Sequence, residues 1–228
     1  MRQYIYLLFL LSGMSTTINA QDWAQLEHFK MENESLSAPA EGQNRVVFMG
    51  NSITIGWKDA DPEYFEQHPY VNRGISGQTT PQMLLRFRQD VIELKPSAVV
   101  ILAGTNDIAG NTGPMTIKQI LDNIISMTQL SKAHDIEVLL CSVLPAFDYP
   151  WRPGLEPNIK IPRLNAEVKK YASEHGHHYV DYFSAMTDGN NSLKSHLGYD
   201  GVHPNRAGYD VMKPILERAI SQAFESQE

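Results

Sequence analysis

The 228-residue chain contains a single cysteine, Cys141. No disulfide can form within it, so stability has to come from a packed core. Long hydrophobic runs are also missing. A membrane-spanning helix needs about 20 consecutive apolar residues, and no segment reaches that, so no stable membrane insertion is expected of the mature chain. Nor is there an excess of basic residues, since 26 Asp and Glu face 19 Lys and Arg for a net charge of −7. Without a basic stripe to neutralise phosphates, nucleic acid is excluded as a partner class. The segment 50–54 lacks the glycine spacing of a phosphate cradle, and Gly110-Asn111-Thr112-Gly113 is too short to be one, which weighs against a nucleotide binder. His175, His177 and His178 lie close together, but they have no cysteine or carboxylate set at ligand spacing and would alternate faces along a strand. No metal and no cofactor is expected.

What is present begins with an export signal. Arg2 precedes an apolar run at 4–11 and a small, polar stretch ending in Thr17-Ile18-Asn19-Ala20, the pattern of a cleaved secretory leader. Residues 1–20 are therefore expected to be removed and residues 21–228 to form one domain, in the periplasm or outside the cell. Cys141 falls in the apolar run 137–144, where a thiol behaves as a small buried hydrophobe.

Short β-branched runs alternate with amphipathic stretches, the signature of a parallel sheet with crossover helices. Strands are predicted at 45–49, 70–72, 97–103, 137–143 and 178–182, with 97–103 central because it is continuously apolar. Helices are predicted at 23–33 (within an N-terminal helical segment 22–34), 62–67, 81–94, 115–133, 159–175 and 205–224. In 81–94 the apolar residues Leu84, Leu85, Phe87, Val91, Ile92 and Leu94 recur at near-helical spacing and are read as one core-facing stripe. The expected fold is a three-layer α/β/α sandwich around a five-stranded parallel sheet, flavodoxin-like in outline.

In such a sheet, ligands bind where the loops leave the carboxyl ends of the strands. Three of those loops are polar and contain glycine: Gly50-Asn51-Ser52, Gly74-Ile75-Ser76-Gly77 and Gly104-Thr105-Asn106-Asp107. Near the C-terminus, Asp200-Gly201-Val202-His203 holds a carboxylate and an imidazole three residues apart, ahead of a Pro204 suited to a first helical position.

Taken together, in order and at ordinary spacing, these four segments resemble the blocks of the SGNH (GDSL-like) hydrolase superfamily over nearly the whole mature chain. That resemblance implies Ser52 as nucleophile, His203 as its general base and Asp200 as the group orienting the imidazole. It further implies an oxyanion hole from the backbone N–H groups of Ser52 and Gly77 and the side-chain amide of Asn106. Asn51 departs from the Asp more usual before the nucleophile, which puts local hydrogen bonding in question.

The loop 145–154 follows the fourth strand and is read as a recognition element. Trp151 offers a ring for a sugar or acyl chain, and Arg152 a paired hydrogen bond to a carboxylate. Trp57 either walls the pocket or fills core space. The expected function is hydrolysis of a small-molecule or glycan ester, with short acyl groups on carbohydrate preferred. A lysophospholipase or acyl-thioesterase, or a non-catalytic glycan-binding module, are the alternatives.

Overall fold

The computed structural model describes residues 22–225, so the expected leader and its junction near residue 20 lie outside the described residues. The strands are β1 (Val46–Gly50), β2 (Tyr70–Gly74), β3 (Ala98–Leu102), β4 (Glu137–Cys141) and β5 (His178–Val180). They form one parallel sheet in the order β2-β1-β3-β4-β5. β3 is central and buried at every position, because a strand covered on both faces has no wet side to carry polar residues. Gly50 pairs with both Gly74 and Leu102. β1, β2 and β3 thus end at one level, and their loops emerge along one rim.

Helices cover both faces. On one side lie α2 (Ser52–Ala60), α3 (Pro62–Glu66), α8 (Tyr182–Met186) and α9 (Arg206–Glu225). On the other lie α4 (Thr80–Asp90), α6 (Ile117–Lys132) and α7 (Pro157–His175). Strand side chains alternate between the two cores with period two: Val47, Met49, Val99 and Ile101 enter the second, while Val46, Phe48, Val100 and Cys141 enter the first. Burial pushes the Cys141 thiol up to about 12, so the residue is an inert core group. Two short helices, α1 (Lys30–Ser35) and α5 (Thr105–Ile108), complete the set among the described residues.

Several boundaries differ from the expectation for local reasons. The helix expected over 22–34 is confined to α1. Ahead of it, the Asp22 carboxylate accepts the N–H groups of Leu26 and Glu27 at 2.8 and 3.0 Å, and Gln25 takes a left-handed φ of 57°. The helix expected over 81–94 ends at Asp90 and resumes as a 3-10 turn, Ile92–Leu94. Within it, Leu85 faces solvent and Arg86 faces the core, a correction to the apolar stripe. α2 lies outside the predicted helix ranges. Pro204 is not a first helical residue either. It pairs across a bridge with Gly198, and Asn205 caps α9 by accepting the Gly208 N–H at 3.1 Å.

Candidate active site

Ser52 opens α2 directly after β1. The turn that places it there is set by Asn51, whose side-chain oxygen accepts the Ile53 N–H at 3.0 Å. An amide caps this helix as an aspartate would, which answers the question raised by the departure at position 51. As the first residue of the helix, Ser52 has a backbone N–H with no intrahelical acceptor. Gly74, at the end of β2, lets α2 lie close, since a side chain there would collide with the backbone of Asn51 and Ile55.

His203 and Asp200 arrive on the loop before α9. That loop is closed by the Gly198–Pro204 bridge and by the Tyr199 N–H donating to the His203 carbonyl at 3.2 Å. Ser52 Oγ lies 3.0 Å from His203 Nε2, and His203 Nδ1 lies 2.7 Å from Asp200 Oδ2. The second carboxylate oxygen accepts the N–H groups of Val202 and His203 at 2.9 and 2.7 Å. A carboxylate can only accept, so the imidazole proton is assigned to Nδ1 and the Nε2 lone pair faces the serine hydroxyl. Burial alone would raise the Asp200 carboxyl. The His203 N–H and imidazole and the Val202 N–H outweigh it and hold the group below the ordinary carboxylate range.

The other two loops reach the same rim. Gly77 has a left-handed φ of 77°, and a side chain there would meet only the Asn111 amide, at 3.9 Å. Backbone conformation, rather than crowding, selects glycine at this position. Asn106, the second residue of α5, is almost fully buried and donates from Nδ2 to the Gln78 carbonyl at 3.0 Å. One amide hydrogen therefore fixes it to the Gly77 loop, and the other stays available. Asp107 braces the arrangement by accepting the Thr80 N–H at 2.9 Å and the Thr80 hydroxyl at 2.5 Å, while burial raises its carboxyl.

Beneath the rim lies a residue that the sequence pattern concealed. The Arg86 guanidinium is fully buried and donates to Gln78 Oε1 at 2.6 Å, to Asp90 at 2.9 Å, and to the carbonyls of Arg73 and Gly50 at 2.8 and 3.1 Å. One side chain thus ties the strand end that leads into Ser52 to the loop that carries Gly77.

The expected recognition residues separate. Trp151, 46% exposed, lies with its ring centroid 5.8 Å from that of His203. On the same imidazole, Tyr199 stacks at 5.8 Å with an 8° interplanar angle and is 73% exposed; nothing but its place beside Asp200 signalled it in the sequence. Arg152 departs from the carboxylate clamp expected of it. Its Nη1 donates to the carbonyls of Ala109 and Gly110 at 3.0 and 2.7 Å, strapping the 145–154 loop to the loop after β3. Trp57 is core, stacked with centroids 5.4 Å from both Tyr64 and Tyr209. His175 stacks on Tyr171 at 4.1 Å, and among the described residues no group of three or more His, Cys, Asp or Glu is placed to hold a metal ion. Nor, among them, is any helix long and apolar enough to cross a membrane.

A hydroxyl, an imidazole and a carboxylate in hydrogen-bonded series is an arrangement able to carry out nucleophilic acyl transfer. Comparison with known proteins agrees with that chemistry. A GDSL-like lipase from Bacteroides thetaiotaomicron superposes with a TM-score of 0.86 at 45% identity, covering 88% of this chain and 98% of that one. An esterase of Pseudomonas aeruginosa, TesA, is 25% identical over 91% of this chain and 98% of its own. An acetylxylan esterase of Xylanibacter ruminicola is 26% identical over 82% of this chain. The chain spans about half the length of the first curated relatives it matches, 45% in the case of that acetylxylan esterase and 51% for the next. The model of the GDSL-like lipase/acylhydrolase family matches residues 48–211, which takes in Ser52, Gly77, Asn106, Asp200 and His203, and the chain belongs to that family.

Proposed function

We propose that this protein is an exported serine esterase that removes short acyl groups, acetyl foremost, from carbohydrate through an acyl-enzyme intermediate. The observation that carries the reading is the unbroken series from Ser52 Oγ through His203 to Asp200, at 3.0 and 2.7 Å. Ser52 Oγ attacks the ester carbonyl while His203 Nε2 takes its proton. Charge developing on the carbonyl oxygen is met by the backbone N–H groups of Ser52 and Gly77 and the free amide hydrogen of Asn106. Asp200, held ionised, keeps the imidazole in the accepting tautomer and offsets the charge it acquires. His203 then returns the proton to the departing sugar oxygen, leaving the acyl group on Ser52. Water, deprotonated by the same imidazole, releases the acid and restores the serine.

A sugar alcohol leaving beside His203 would pass between Trp151 and Tyr199, and flat aromatic faces suit the apolar face of a sugar ring. The relatives named as acetylxylan esterases support the same substrate class, and the leader-like residues 1–20 support export. The test is release of acetate from acetylated xylo-oligosaccharides and of 4-nitrophenol from its acetate. Native protein turns over both and Ser52→Ala neither, with its melting temperature unchanged. A Ser52→Ala protein that retains turnover overturns the assignment.

A further inference from the structure

A second feature lies next to the proposed oxyanion loop. A cavity of about 310 Å³ opens beside Gly77. Four parts of the chain wall it: residues 22–25, the loop Ser76–Gln78, Gln82 of α4, and Asn111–Thr112. Of the residues lining it only Asp22 carries a charge, and two N–H bonds from Glu27 and Leu26 hold its carboxyl low and ionised. The rest of the polar lining is neutral: Gln25, Ser76, Asn111 and Thr112 present amides and hydroxyls. One large ring stands among them, Trp23, 44% exposed.

The segment carrying Trp23 is fastened with more care than a frayed end requires. Three glutamines donate to its carbonyls: Gln82 to Trp23 at 2.6 Å, Gln78 to Ala24 at 2.9 Å and Gln89 to Leu26 at 2.5 Å. Phe29 anchors its far end under the Arg73 guanidinium, 4.6 Å from the ring centroid. Gln78 and Gln82 belong to the oxyanion loop and the helix start behind it, so the position of Trp23 is fixed relative to Gly77. A rigid aromatic face within a ring of neutral donors and acceptors is how proteins bind pyranose rings, because a sugar offers one apolar face and a rim of hydroxyls. Asn111 Nδ2 already donates to the Gly77 carbonyl at 3.0 Å and the Thr112 hydroxyl pairs with that of Thr79 at 3.0 Å, so sugar hydroxyls would meet polar groups that are held in place. An acidic sugar would meet the ionised Asp22.

We infer that the Trp23 cavity is a subsite for a neutral sugar unit of an oligosaccharide, separate from the unit that carries the ester beside Trp151 and Tyr199. Its placement as part of a substrate groove rests on the esterase reading above. The binding itself does not, and can be measured without turnover.

The probes are unesterified xylotetraose, cellotetraose and mannotetraose, titrated calorimetrically into full-length Ser52→Ala protein. At least one tetrasaccharide binds, and its affinity falls tenfold or more in Trp23→Ala and is largely retained in Trp23→Phe. Since Trp23→Ala can also loosen the segment that carries it, Ser76→Arg, an exposed position on the facing wall, provides an independent block with the same expected loss. Binding of no tetrasaccharide, or binding that survives both Trp23→Ala and Ser76→Arg, overturns the subsite. Failure of the native protein to hydrolyse 4-nitrophenyl acetate would instead count against the esterase reading while leaving the binding result standing.

Discussion

Removing the guanidinium of Arg86 should damage this protein more than any other single change outside the catalytic series. Arg86 and Asp90 form an ion pair at 2.9 Å with neither side chain exposed. In Arg86→Met, the Asp90 carboxylate keeps the Asn33 amide at 2.7 Å and the attraction of the nearby Arg73 guanidinium. Removing one partner of a buried ion pair costs about 3–5 kcal/mol, and the remaining Arg73 charge puts this case at the lower end. Stranding Gln78 Oε1, which Arg86 also satisfies, adds roughly 1–3 kcal/mol. The Gly50 carbonyl adds little, because it still accepts the Ile75 N–H at 3.2 Å. The total lies near 5 kcal/mol, which for a chain of this size lowers the melting temperature by about 10–20 °C.

The double variant Arg86→Met/Asp90→Leu removes the stranded charge together with its partner and should recover to within about 2 kcal/mol of native. Urea unfolding followed by circular dichroism measures both. If the single variant loses less than about 1 kcal/mol, or the double variant is no more stable than the single, the network does not hold the rim as described. Even where its fold is recovered, the double variant should turn over 4-nitrophenyl acetate more slowly, because the ties to Gly50 and Gln78 are gone.

Other consequences are smaller in scope. Asn106→Ala removes one donor from the proposed oxyanion position and should lower kcat on 4-nitrophenyl acetate about 100- to 1000-fold, with KM nearly unchanged; a fall under threefold would exclude the amide from that role. Asp200→Asn should lower kcat by about 10⁴, because the amide can donate to Nδ1 and so favours the wrong tautomer; steady-state rates at pH 8 decide it. His177 takes up its proton less readily in the folded chain, through burial first and then the neighbouring charges of His175 and Lys132. The unfolded chain therefore binds that proton first, and stability is lost as pH falls through the ordinary imidazole value of 6.5. His177→Gln should flatten that part of the stability profile, and an unchanged slope in urea melts between pH 7.5 and 5.5 would contradict it.

How far the sequence reveals this molecule depends on how local each signal is. The parallel sheet is legible because β3 is an unbroken apolar run and β4 is apolar from Val138 to Cys141, and the rim because each polar, glycine-bearing loop directly follows a strand. Ser52, Asp200 and His203 are legible for the same reason, since each lies in a short segment whose residues set its own turn. Arg86 is hidden: it sits within an amphipathic stretch, and two of its four acceptors are backbone carbonyls 13 and 36 positions away. Leu85 departs from the predicted stripe for the same reason, because the buried face of α4 is built around a cation that a hydrophobic pattern cannot anticipate. Arg152 misleads in the opposite way, since an exposed cation on a rim loop reads as a ligand for substrate until its carbonyl partners across the loop are known. α2 is hidden in the sequence because it starts on the residue read as nucleophile and contains Gly56, a poor helix former that lies against Tyr209.

The central claim is that the Ser52 hydroxyl is made nucleophilic by His203, and covalent labelling tests it most directly. Native protein treated with a fluorophosphonate should gain one adduct, which peptide mass spectrometry locates on Ser52, and His203→Ala should remain unlabelled over the same interval. An adduct on another residue, or equal labelling of the His203→Ala protein, would contradict it.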